Sequence, residues 1–104
     1  MDKIVVLITT PSQSEAEAIA NYVVETKLAA CVNIIPAVQS FFFWEGKHCR
    51  ESEVLLLVKT KKSLFAPLCE AVLKKHSYKV PEIIALPIVE GSSSYIQWIE
   101  ENTQ

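Results

Sequence analysis

Glycine and arginine are the scarce residues of this chain. Gly46 and Gly91 are the only glycines and Arg50 the only arginine among 104 residues. Two isolated glycines cannot build a phosphate cradle, and neither a P-loop nor the G-x-S-x-G or H-E-x-x-H patterns of hydrolases occur. One arginine and the short pairs Lys61-Lys62 and Lys74-Lys75 make no basic stripe, and the net charge is −2. Nucleic acid is therefore excluded as an expected partner. An acylphosphatase would need an arginine cradle beside its first strand. An RNA-recognition module would need paired aromatics on central strands within a basic surface; the chain has neither. Its three cysteines, odd in number and without C-x-x-C spacing, fit reduced thiols better than a disulfide framework. The first apolar run, residues 4–8, is too short for a signal peptide or a membrane span. A cytoplasmic location with no membrane partner is the expectation.

What is present is ordinary for one globular domain covering residues 1–104: 50% apolar and 21% charged residues. Residues 3–9, KIVVLIT, form a continuous β-branched run suited to a strand buried on both faces. A helix follows with Ala16, Ile19, Ala20, Val23 and Val24 on one stripe. Ser12 with Glu15, or Ser14 with Glu17, could cap it. Residues 61–76 carry Leu64, Phe65, Leu68, Val72 and Leu73 at helical spacing, and Pro67 places the true start near Ser63. Residues 77–81 read as an extended connector, and residues 82–89 as a strand, part of which Pro87 puts at an edge or a bulge. Tyr95, Ile96, Trp98 and Ile99 close the chain on a short amphipathic helix.

The stretch from residue 28 to 60 organises the rest. Two apolar, β-branched and aromatic arms flank Glu45-Gly46, so they read as a hairpin with a two-residue loop. That register puts Cys31 opposite Thr60, Ile35 opposite Leu56 and Phe42 opposite Cys49. Each arm approaches about 14 residues, against the usual five or six, and Pro36 should break its arm at a bulge. Phe41, Phe42, Phe43 and Trp44 cluster at the tip, far from either base, so another subunit should cover them. The order β-α-β-β-α-β plus a terminal helix is the α+β, ferredoxin-like sandwich. Its two helices on one face leave the other face for partner subunits.

Five segments in order carry a resemblance: LAACVNIIP (28–36), FFWEGK (42–47), E-x-LLLVKT (53–60), H-S-Y-K-V-P-E (76–82) and Y-x-x-W (95–98). Together they span nearly the whole chain, which resembles the CutA family of divalent-cation tolerance proteins. The resemblance implies a ferredoxin-like homotrimer knitted together by its long hairpins, with a fold likeness to the trimeric PII signalling proteins. Two departures stand out. The family commonly has His-Pro-Tyr-Glu where this chain has His76-Ser77-Tyr78-Lys79. Copper-binding bacterial members use a first-strand cysteine and a His-His pair, and the matching positions here are Ile8, Lys75 and His76. Of these only His76 can bind metal.

Copper or another divalent cation is thus expected to bind weakly, with His76 the single candidate ligand and a helix cap its alternative role. Cys31 and Cys69 read most simply as small core residues. Glu51 and Glu53 share a strand face, as a solvated edge or a hard-cation site. Lys59, Tyr78, Glu82, Tyr95 and Trp98 could line a cleft between subunits for a small molecule, or pack and hydrogen-bond as interface residues. The expected function is a non-enzymatic, metal- or ligand-binding trimeric adaptor in divalent-cation tolerance. The alternative is an enzyme acting on a small molecule in the clefts.

Overall fold

A computed structural model describes residues 1–104. In chain order the elements are β1 (Lys3–Thr10), α1 (Gln13–Glu25), β2 (Cys31–Trp44), β3 (Lys47–Lys61), a 3-10 turn (Lys62–Leu64), α2 (Phe65–Lys75), β4 (Ile83–Pro87) and α3 (Ser93–Glu101). One antiparallel sheet runs β2-β3-β1-β4. The two most apolar runs therefore occupy the two central strands, as their hydrophobicity on both faces requires. Ser12 caps α1 by accepting the Glu15 amide at 3.2 Å, which settles the choice between the two capping serines. Pro67 falls in the first turn of α2, where its missing N–H costs nothing.

Strand alternation sorts the side chains. Ile4, Val6 and Ile8 of β1 and Val54, Leu56 and Val58 of β3 pack against Ala16, Ile19 and Val23 of α1 and Leu68 and Val72 of α2. The second face is not wholly bare, contrary to expectation. Helix α3 lies across its base, where Glu100 pairs with Lys3 at 2.9 Å and Lys61 at 3.0 Å. Ile99 is fully buried there, outside the main core. Asp2 and then Glu100 hold the buried Lys3 ammonium protonated above its usual range. Beyond α3 the face stays open: Leu57, Leu7 and Ile84 stand side by side on it, and Ile84 is half exposed.

The hairpin register is half as expected. Trp44 faces Lys47 across Glu45-Gly46, both with positive φ (51° and 77°), a type I′ geometry, and Phe42 faces Cys49. At Pro36-Ala37 the register slips by one, with Ala37 in the left-handed region at φ 62°. Cys31 consequently faces Lys59 rather than Thr60, and Ile35 faces Leu55 rather than Leu56. Pro36 cannot donate to the ladder, so the chain ejects two residues opposite one and resumes the pairing. Past the bulge, residues 38–44 and 47–53 pair only with each other, because β1 pairs β3 from Val54 onward. A two-stranded ribbon about 20 Å long, at roughly 3.3 Å per residue, projects from the sheet.

Candidate functional site

The ribbon and the connector, residues 76–82, enclose a groove of about 1000 Å³. Phe42, Trp44, Cys49, Glu51 and Glu53 form its ribbon wall, with Tyr78 opposite. Four carboxylates (Glu45, Glu51, Glu53 and Glu82) and one ammonium (Lys79) line it, so its potential is negative.

A chain of hydrogen bonds fastens the connector. His76 ends α2 in extended conformation, which turns its ring back under the sheet. Its Nε2 lies 2.7 Å from the Thr9 carbonyl oxygen and its Nδ1 accepts the Tyr78 amide at 3.0 Å. A carbonyl cannot donate and an amide N–H cannot accept, so the ring is the neutral Nε2–H tautomer. Glu15 leaves its own helix cap unreciprocated. Its Oε2 instead accepts the Ser77 amide at 3.1 Å and lies 3.3 Å from His76 Nδ1. Tyr78 then donates its phenol to Glu53 Oε2 at 2.7 Å. Glu53 is only 6% exposed and forms no ion pair within the chain. Burial, and then the bond to Glu53, hold the Tyr78 phenol above its ordinary range, so it remains a donor.

This geometry corrects three expectations. His76 is not positioned as a metal ligand: its side chain is fully buried and both ring nitrogens are engaged. Glu53 is not a solvated edge residue but a buried acceptor. No three His, Cys, Asp or Glu side chains converge to hold an ion. The cysteines sit on β2, β3 and α2, each half-buried rather than in the core. The donor set of one chain therefore does not fit a tight copper site, which needs three or four converging ligands.

The five cleft residues divide into two groups. Tyr78 and Glu82 line the groove. Lys59, Tyr95 and Trp98 lie at the opposite end of the sheet, about 20 Å away along β3 at roughly 3.3 Å per residue. There Lys59 donates to Asn33, Cys31 sits beside Asn33, and the Tyr95 and Trp98 rings stack at 5.6 Å. Burial and then the neighbouring Cys31 raise the Tyr95 phenol. At the tip, Phe41 is 62% exposed and Phe43 73%, with Phe42 and Trp44 also exposed. Glu15 and Thr9 escaped the sequence reading. The S-x-x-E spacing marked Glu15 only as a cap, and a backbone carbonyl has no sequence signal.

The four-stranded antiparallel sheet with its helices, the projecting aromatic ribbon and the acidic groove define a small α+β, ferredoxin-like domain. The chain belongs to the CutA1 divalent ion tolerance family, whose model matches residues 4–102. It is 52% identical to the divalent-cation tolerance protein CutA of Thermus thermophilus over 95% of this chain and 96% of that protein. It is 48% identical to the chloroplastic protein CutA of Arabidopsis thaliana, over 97% of this chain but 56% of that longer protein. The solved Thermus thermophilus Cut A1 structure superposes with a TM-score of 0.96 at 50% identity, covering 98% and 99% of the two chains. The periplasmic CutA of Archaeoglobus fulgidus gives 0.95 at 44% identity, with the same coverage. No helix is long and apolar enough to cross a membrane.

Proposed function

We propose that this chain acts in divalent-cation tolerance as a non-enzymatic homotrimer that binds a small ligand or cation weakly at its subunit boundaries. The projecting ribbon carries this reading. An isolated two-stranded hairpin is marginal in water, yet this one bears four exposed aromatics at its tip. Burying Phe41, Phe42, Phe43 and Trp44 against neighbouring subunits removes that surface and supports the ribbon. Assembly could also bring Tyr78 and Glu82 of one subunit toward Lys59, Tyr95 and Trp98 of another. The names of the relatives support the link to divalent cations. The groove's negative lining supports cation attraction without tight coordination. Three free thiols support a reducing, cytoplasmic setting.

Light scattering at low micromolar concentration tests the assembly. The expected mass is three times the 11.7 kDa of one chain; a monomer under those conditions refutes the reading.

A further inference from the structure

We infer that Glu15 and His76 form a proton-operated latch that fastens or frees the connector forming one wall of the groove. The inference needs neither the trimer nor a bound ligand. It rests on His76 Nδ1, which has two neighbours suited to opposite protonation states. The Tyr78 amide, at 3.0 Å, donates to it and so requires the neutral ring. The Glu15 carboxylate, at 3.3 Å from the same atom, suits a ring that carries a proton there. Nε2 already holds its hydrogen against the Thr9 carbonyl, so an added proton can go only to Nδ1.

Protonation turns the Tyr78 contact from donor–acceptor into N–H against N–H and gives Glu15 a charged partner. The ring thus exchanges its bond to the connector for one to α1, while its anchor on β1 survives. Tyr78 sits next in line: its ring is 4.9 Å from the imidazole and its phenol reaches Glu53. Freeing the Tyr78 amide therefore loosens the groove-lining segment at that residue, while the Ser77 amide stays on Glu15 and the Tyr78 phenol on Glu53.

The surrounding charges leave Glu15 as the ring's partner. β1 presents the Thr9 carbonyl, and α1 presents Glu15. At the end of α2, Lys74 pairs with Glu70 and Lys75 lies over the Tyr22 ring. On the connector, Lys79 is exposed. From β3, Glu53 is reached only through the Tyr78 phenol, with Glu51 beyond. Imidazole is the ordinary side chain whose unperturbed charge change falls between about pH 5 and 8.

Nuclear magnetic resonance of the uniformly ¹⁵N-labelled full chain, in its native assembly, tests this between about pH 5 and 8. At the upper end the His76 ring should show the Nε2–H tautomer and a protected Tyr78 amide. At the lower end the ring should be doubly protonated. Exchange at Tyr78, corrected for its intrinsic pH dependence, should then rise about tenfold while the central strands stay protected. Glu15→Gln should move the transition to lower pH, because the carboxylate that receives the charge is gone. A ring that keeps its neutral tautomer throughout overturns the latch, as does protonation that leaves Tyr78 equally protected. A transition unmoved in Glu15→Gln overturns the role of Glu15.

Discussion

Replacing Tyr78 with phenylalanine should unfasten the connector from β3 while leaving the aromatic ring in place. The phenol is the only hydrogen-bond donor to the Glu53 side chain, at 2.7 Å, and Glu53 is almost wholly buried without a cation. A hydrogen bond to a charged group is worth about 1.5–3 kcal/mol, and removing the donor leaves a carboxylate that water can reach only from the groove. Tyr78→Phe is therefore expected to lose about 2 kcal/mol. Glu53→Met removes the charge at similar volume and strands only the half-buried phenol, so about 1 kcal/mol should be lost. The double variant removes both partners and should be more stable than the sum of the single losses, by a coupling of about 1 kcal/mol or more.

Urea denaturation at one fixed protomer concentration measures all four proteins, so that any assembly equilibrium affects them alike. Additive losses, with Tyr78→Phe within about 0.5 kcal/mol of the parent, would show that Glu53 is solvated and that the connector is held elsewhere. The same pair has an alkaline signature. The folded state raises the Tyr78 phenol above its ordinary value of about 10. Its contribution is thus complete below that pH and is lost as pH rises through the folded-state value. Tyr78→Phe should lack this component of the alkaline stability loss.

Three further outcomes are expected. Trp44→Ala should weaken association or lower the melting temperature, since deleting a fully buried large aromatic costs about 3–5 kcal/mol; unchanged mass and melting would make Trp44 solvent-facing in the native protein. Divalent copper should bind the reduced protein no tighter than about micromolar, roughly −8 kcal/mol, because no three donors converge in the chain. Nanomolar affinity in isothermal titration would require a site built by subunits or by the cysteines. Ala37→Gly should leave the register unchanged and raise thermal stability by up to about 1 kcal/mol, because Ala37 sits at φ 62° with a Cβ that disfavours it; a loss would mean that the Ala37 methyl packs usefully.

Periodicity made the architecture readable, and chemistry between distant residues made the site opaque. The apolar runs of β1 and β3 could belong only to central strands, and Glu45-Gly46 fixed the hairpin loop. Pro36 announced the bulge by its missing donor, but a bulge changes register only on its far side. The tip pair Phe42–Cys49 was therefore readable, whereas the base pairs formed by Cys31 and Ile35 were not.

His76 shows why site reading is harder. A histidine at a helix end with lysines before it looks the same in sequence whether it waits for a metal or is already satisfied. The difference lies in Thr9 and Glu15, 67 and 61 residues away in the chain. Neither has a pattern that points to an imidazole, and Glu15 fits a rival role as a cap. The connector itself carries a signal: seven residues without regular structure beside a sheet must satisfy their amides somewhere. A carboxylate at the start of α1 and an imidazole at the end of α2 are the side chains that meet there, because the start of α1 and the end of α2 both lie at the C-terminal end of β1. The same topology explains why the groove depends on the connector, and why a single proton on the His76 ring can matter to a wall that itself contains no histidine.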